Sequence, residues 1–114
     1  MFNDSAHLSL ETFESVANLF AVLADPTRLS VLHLLEQKPA YVLQIVQELG
    51  LKQSNVSKHL SLMYDAGLVK RERNGNQILY SIGDELAFKL CTLVCQKLHR
   101  DARTQERRFR KAAN

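Results

Sequence analysis

The sequence predicts a mainly α-helical fold that contains one small β-hairpin. Apolar residues recur at three- and four-residue spacing over most of the chain, which is the pattern of helices with one buried face. After Gly67 the period changes to two over residues 68–73 and 77–82. Asn74-Gly75-Asn76 between these stretches is a strong hairpin signal. With 114 residues, 46% of them hydrophobic, the chain is long enough for one domain with a small core.

Two helices are predicted in the first third of the chain. The first covers about 9–24, with Ser9 as its N-cap. The second covers about 26–37, because Asp25 can cap it and Pro26 suits the first helical position. The residues of the second helix that we expect to face the core are Leu29, Leu32, His33 and Leu35.

The next two helices, about 41–49 and 53–67, are separated by a very short turn that contains Gly50. This order predicts a helix-turn-helix, in which the second helix reads DNA. Its apolar stripe is Val56, Leu60 and Met63. Its other side carries small hydroxyls, one cation and no acid: Ser54, Ser57, Lys58 and Ser61. Such a surface suits a groove lined by phosphates and base edges, although Lys52 is a poor N-cap for the helix.

The hairpin that follows is predicted to be a wing. It comes directly after the helix-turn-helix, and basic side chains flank its tip. The charge distribution agrees, because residues 1–51 carry two basic and six acidic side chains, whereas residues 52–73 carry five and two. Residues 97–111 carry seven basic and two acidic side chains, a pattern that fits either a solvated helix or contact with a polyanion.

The last helix is predicted from Gly83-Asp84 to about residue 100. Its apolar band, Leu86, Ala87, Leu90, Cys91, Leu93, Val94 and Leu98, is too wide for one buried stripe on a small domain. The first helix is similarly rich in apolar residues, so we expect a homodimer through the N- and C-terminal helices. The domain boundaries that follow are a flexible N-terminus at 1–8, a DNA-binding and dimerisation domain at 9–102, and a basic, disordered tail at 103–114.

Five segments of the chain form a distinctive combination: Leu23-Ala24-Asp25-Pro26-Thr27-Arg28-Leu29, Leu49-Gly50-Leu51, Gln53-Ser54-Asn55-Val56-Ser57-Lys58-His59-Leu60, Ala66-Gly67-Leu68-Val69 and Ile78-Leu79-Tyr80-Ser81-Ile82. Through these segments the chain resembles the ArsR/SmtB family of winged helix-turn-helix repressors. The resemblance implies a homodimer that binds operator DNA and releases it when an effector binds. The DNA-binding residues we predict are Gln53, Ser54, Asn55, Ser57, Lys58, His59, Arg71, Arg73, Asn74 and Gln77. Of these, His59 fits two descriptions, a packed or phosphate-facing group and a base reader.

The metal sites of that family do not carry over to this chain. One uses Cys-x-Cys in the third helix, where this sequence has Tyr41 and Leu43. Another uses ligands along the last helix; Asp84 fits its start, but the remaining ligand positions hold Leu86, Lys97 and Arg100. Sensing of zinc, nickel or cobalt by those routes is therefore not expected.

Cys91, Cys95 and His99 form the candidate effector site. They lie at i, i+4 and i+8, on one side of the last helix. Two thiols and an imidazole can bind a thiophilic metal or metalloid, especially beside a second copy. The thiols can also act as a redox switch between subunits, or the cysteines can simply be small interface hydrophobes.

The sequence predicts a DNA-binding regulator that is not an enzyme, because it contains no nucleophile–base pairing, phosphate loop or paired carboxylates. No apolar run is long enough to span a membrane, and no secretory signal is expected. Two cysteines without a disulfide framework suit the cytoplasm. Two rival hypotheses remain, a DNA binder without an effector and a winged-helix module that binds protein.

Overall fold

The computed structural model describes residues 9–113, which form five helices and a three-stranded sheet. The helices are α1 (Leu10–Leu23), α2 (Pro26–Gln37), α3 (Val42–Leu49), α4 (Gln53–Asp65) and α5 (Leu86–Ala113). The strands are β1 (Ala40–Tyr41), β2 (Val69–Asn74) and β3 (Gln77–Ile82). The chain divides after Asp84 into two compact units, and the second unit contains α5 alone.

The predicted caps of the first two helices are confirmed. The Ser9 side chain accepts a hydrogen bond of 3.2 Å from the backbone N–H of Thr12. Asp25 Oδ2 accepts one of 2.9 Å from the backbone N–H of Arg28, and Pro26 begins α2. Each cap satisfies one of the N–H groups that have no partner inside the helix.

The sheet contains one strand that the sequence did not predict. The two residues of β1 pair antiparallel with β3, Ala40 opposite Tyr80 and Tyr41 opposite Leu79, so the strand order is β1-β3-β2. A two-residue strand is too short to show a period in the sequence, and only its partner defines it. In the hairpin, Asn74 ends β2, so the connecting loop is Gly75-Asn76.

The predicted apolar stripe of α4 lies in the core of the first unit. Val56, Leu60 and Met63 are all 0% exposed. The other buried core residues of this unit are Leu23, Val31, Leu32, Leu35, Ala40, Ile45, Leu68, Val69 and Tyr80. The expectation that His33 faces inward is wrong, since this side chain is exposed. Val31, which is fully buried, contributes to the core instead.

The structure differs from the sequence prediction at the C-terminus. The predicted disordered tail began at residue 103, yet α5 continues through Ala113. This segment contains no Gly or Pro, and Arg110 donates to Glu106 at 2.7 Å, an i,i+4 pair that supports a helix. Lys97 and Asp101 form a second such pair.

The predicted flexible segment 1–8 lies outside the described residues. No helix within 9–113 is long and apolar enough to cross a membrane.

Candidate DNA-binding surface

The turn between α3 and α4 has the geometry of a helix-turn-helix. Gly50 adopts a left-handed conformation, with φ 65° and ψ 33°, and its N–H donates to the Val46 carbonyl at 2.9 Å. A residue with a side chain is strained in this conformation, whereas glycine adopts it freely. Ile45 of α3 and Val56 of α4 are both fully buried. The turn therefore orients α4 so that its apolar stripe faces the core.

Burial of that stripe leaves the polar side of α4 facing solvent. Gln53, Ser54, Asn55 and Lys58 are exposed, and Ser57 is half-buried. Residues 53–64 include no Asp or Glu, so this surface does not repel a polyanion. Four of the six predicted reading residues of α4 thus lie on accessible surface, whereas Ser57 and His59 are half-buried.

The start of α4 is open, as the sequence predicted. The N-cap residue Lys52 contributes no capping hydrogen bond from its side chain in this described segment. The first N–H groups of a helix have no intrahelical partner, and the helix dipole adds positive potential there. An uncapped helix start beside exposed Gln53 and Ser54 is suited to a phosphate group of DNA.

A groove of about 280 Å³ separates the start of α4 from the tip of the wing, which comprises β2, β3 and the loop Gly75-Asn76. Its lining includes three of the predicted DNA-binding residues, Gln53, Ser57 and Gln77, and also Tyr41, Val42, Leu43, Asn76 and Ile78. The structure therefore brings part of the predicted set on α4 together with part of the set on the wing.

The wing turns through a two-residue loop. Gly75 has φ +66°, whereas Asn76 has no positive φ. A positive φ at the first loop residue is the pattern of a type II′ turn, whose twist matches that of the flanking strands. The sequence signal at the tip was therefore correct, although Asn74 belongs to β2 and pairs with Gln77.

The predicted wing residues lie on opposite faces of the hairpin. Side chains alternate along a strand, so Arg71 and Arg73 share the face of buried Val69. Asn74 and its register partner Gln77 lie on the other face. The sequence grouped these four residues as DNA contacts from the wing, whereas the register separates them into two pairs.

Each face of the wing makes a polar or ring contact with another element of the fold. On the first, the Arg71 guanidinium lies 3.7 Å from the centroid of the Tyr64 ring, near the end of α4. On the second, Asn74 Nδ2 donates to the Tyr41 hydroxyl at 2.7 Å. Tyr41 and Tyr64 had no place in the predicted site. No local pattern indicates either contact, because Tyr41 and Asn74 are 33 residues apart in sequence.

His59 has a different environment from the other predicted reading residues of α4. It is half-buried, and its Nδ1 lies 3.2 Å from an Arg28 terminal nitrogen. Arg28 was not predicted as a site residue, although the segment that contains it was singled out as distinctive.

Arg28 also affects the titration of Asp25. The hydrogen bond from the backbone N–H of Arg28 lowers the pKa of Asp25 below the usual 3.8. The nearby guanidinium acts in the same direction, and desolvation opposes both effects.

The candidate effector residues do not assemble into a metal site within one chain. Cys91 is half-buried and Cys95 is exposed. His99 lines a shallow surface with Gln96, Arg100 and Arg103. Among residues 9–113, no group of three or more His, Cys, Asp or Glu side chains could hold a metal ion. Tyr41 and Leu43 carry no thiolate and so do not fit the Cys-x-Cys site.

Comparison with known proteins agrees with this geometry. The profile of bacterial regulatory proteins of the arsR family matches residues 25–71, from the cap of α2 into β2. The transcriptional regulator CmtR of Mycobacterium tuberculosis is 43% identical over 89 residues, which cover 76% of this chain and 75% of CmtR. A probable mercury resistance operon repressor of Streptomyces lividans is 38% identical over 81 residues, 71% of this chain and 65% of that protein.

Among solved structures, the homodimeric winged helix-turn-helix DNA-binding domain of Mb0332 from Mycobacterium bovis superposes with a TM-score of 0.71. It is 27% identical, and the match covers 87% of this chain and 91% of that domain. The extent and identity of the sequence matches, together with the helix-turn-helix and wing, establish that this chain is a DNA-binding transcriptional regulator of the arsR family.

Proposed function

We propose that the protein is a homodimeric repressor that binds operator DNA through α4 and the wing. The observation that carries this proposal is the exposed, acid-free surface of α4 on a helix whose opposite stripe is fully buried. Such a helix is held firmly by the core while it presents its polar side chains to a groove. Repression is supported by the relative from Streptomyces lividans, a probable operon repressor, and the dimer by the Mycobacterium bovis domain, which is homodimeric.

The residue types suggest separate roles on the DNA. Asn55 and Gln53 can each form two hydrogen bonds with an adenine edge in the major groove. Lys58 and the uncapped start of α4 are suited to phosphates, which position the protein without reading sequence. Arg73 lies one residue before the end of β2, near the tip of the wing, where it would meet the DNA backbone or the minor groove. The full proposed contact set is Gln53, Ser54, Asn55, Ser57, Lys58, His59, Arg71, Arg73, Asn74 and Gln77.

The terminal helices supply apolar surface for a second copy. On α1, Leu10, Phe13 and Phe20 are exposed, and α5 exposes Leu93, Val94 and Leu98. Large exposed apolar side chains in such numbers are typical of an interface rather than of solvent-facing helices. A homodimer would read two half-sites one turn of DNA apart, so the operator should be palindromic. A duplex DNA partner also implies a cytoplasmic location.

The first experiment measures the salt dependence of binding to an operator duplex and to a random duplex. Lys58→Ala should weaken both and reduce the log–log salt slope by about 2 for a dimer, since each lost phosphate contact removes about 0.9. Asn55→Ala should instead weaken the operator alone, by about 1–3 kcal/mol for each half-site. Equal losses on both duplexes for Asn55→Ala would show that it reads no base. Absence of duplex binding would favour a protein-interaction module.

A second experiment addresses the release signal. Cys95 is exposed and Cys91 only half-buried, so a thiophilic metal, a metalloid or an oxidant can reach at least one thiol. Operator release is measured with cadmium, arsenite and peroxide, for the wild type and for the Cys91→Ser/Cys95→Ser double variant. Release that disappears in the double variant supports sensing through these thiols. Release that persists, or a wild type that never releases, assigns both cysteines to packing.

A further inference from the structure

Arg28 connects three helices of the first unit through one guanidinium. Its Nε donates to the Val22 carbonyl at 2.6 Å, and a terminal nitrogen donates to the Ala21 carbonyl at 3.2 Å. The other terminal nitrogen lies 3.2 Å from Nδ1 of His59. The residue itself belongs to α2, and its backbone N–H is bound by Asp25. The end of α1, the start of α2 and the middle of α4 therefore meet at this side chain.

The hydrogen bonds from Arg28 stabilise the C-terminal end of α1. The last carbonyls of a helix have no intrahelical partner, and the helix dipole makes its C-terminal end negative. The last turn of α1, residues 20–23, contains no Lys or Arg. Arg28 supplies the missing cation from α2. Its planar fork gives the Val22 carbonyl a donor and adds a second donor to the Ala21 carbonyl, which also accepts from the backbone N–H of Ala24. A lysine ammonium cannot reproduce this fork. The Arg28 guanidinium is thereby held in a defined orientation.

This orientation determines the chemistry of His59. A guanidinium only donates hydrogen bonds, so Nδ1 of His59 must be the acceptor. In the neutral imidazole the proton is then on Nε2. Among the hydrogen bonds of residues 9–113, His59 takes part through Nδ1, and its side chain is half-buried rather than enclosed. The Nε2–H can therefore donate to an acceptor outside the protein.

We infer that Arg28 is a positioning residue for DNA binding, which holds His59 in the Nε2–H tautomer so that this N–H donates to an operator phosphate. His59 follows directly after Lys58, the proposed phosphate contact, and precedes buried Leu60 on α4. The inference rests on the proposed binding of operator DNA by α4. Arg28 also links α1, which is proposed to contact the second copy, to the DNA-reading helix α4.

The direct test is the protonation pattern of the imidazole nitrogens, read from long-range ¹H–¹⁵N correlations of the dimer without DNA at about pH 8. Wild-type His59 should show a bare Nδ1 and a protonated Nε2, and Arg28→Lys should lose this preference. His33, exposed on α2, is the internal control and should not change. A wild-type His59 protonated on Nδ1 would overturn the inference whatever the protein does with DNA.

The second measurement is operator affinity across a salt series for Arg28→Gln, His59→Gln and the double variant, with His33→Gln as the matched control. Each single change should weaken operator binding about tenfold or more. The double variant should bind little more weakly than either single variant, because both substitutions break the same Arg28–His59 pair. The salt slope should not change, since neutral His59 releases no counterion. A slope reduced by about 2 in Arg28→Gln would mean that Arg28 contacts phosphates itself.

These results separate failure of the inference from failure of the proposed function. If Asn55→Ala and Lys58→Ala behave as proposed while Arg28→Gln and His59→Gln bind normally, α4 reads DNA without the Arg28–His59 pair. Arg28→Lys, which keeps the charge and is milder for folding, provides the same comparison if Arg28→Gln does not fold. Full operator affinity in Arg28→Lys together with an unchanged His59 tautomer would contradict the positioning role.

Discussion

The DNA-reading helix depends on its buried stripe, and Leu60→Ala tests this dependence. Leu60 is 0% exposed and lies between Val56 and Met63, which are equally buried. Truncation to alanine removes three carbons, each worth about 0.8 kcal/mol of burial. The remaining cavity adds to that loss, so we expect a total destabilisation of about 3–4 kcal/mol. For a domain of this size the melting temperature should fall by on the order of 10 °C.

Leu62→Ala is the matched control, since it makes the same chemical change two residues later on the same helix. Leu62 is 41% exposed, so its truncation should cost less than about 1 kcal/mol. Both variants are compared with the wild type by urea and thermal unfolding, monitored by circular dichroism. One protein concentration is used throughout, because the stability of a dimer depends on concentration. Equal losses for the two variants would refute the orientation of α4 described above.

Three further predictions concern the turn before α4, the cap of α2 and the contact of the wing with Tyr41. Gly50→Ala should destabilise by about 1–2 kcal/mol in the same unfolding assay, because φ 65° strains any residue with a Cβ even where space is open; an unchanged midpoint would contradict this. The lowered pKa of Asp25 means that its stabilisation is present above about pH 4 and is lost as pH falls through the folded pKa. The stability difference between wild type and Asp25→Ala should therefore shrink in acid, and a difference that grows would contradict the assignment. Tyr41→Phe removes only the hydroxyl that accepts from Asn74, so it should weaken DNA binding a few-fold with little change in stability; unchanged affinity would show that this bond does not hold the wing.

Local chemistry made much of the architecture predictable. Asp25-Pro26 indicated the start of α2 to the residue, because a cap and a preset φ act within one turn. Gly50 indicated the end of α3 for a similar reason. The tail after residue 103 was misjudged because charge was taken as disorder, although the segment consists of good helix formers with paired i,i+4 charges.

The candidate site was predictable to a lesser degree. The spacing of Val56, Leu60 and Met63 correctly indicated which side of α4 is buried, and hence which side is accessible. The same periodicity could not separate His59 from its exposed neighbours. Its partner Arg28 is 31 residues away in sequence, and the contact exists only because α2 and α4 pack in one core.

The helix with a buried stripe and an acid-free polar surface follows from the sequence by itself, since side-chain spacing and charge are local properties. The sequence also determined the turn before this helix and the hairpin after it, because Gly50 and Gly75 act through their own backbone conformations. Only the tertiary structure decided which polar groups remain available to DNA. It directed His59 to Arg28, Asn74 to Tyr41 and Arg71 to the Tyr64 ring. The physical reason is that a hydrogen bond or ring contact between distant residues depends on packing, which sequence spacing does not encode.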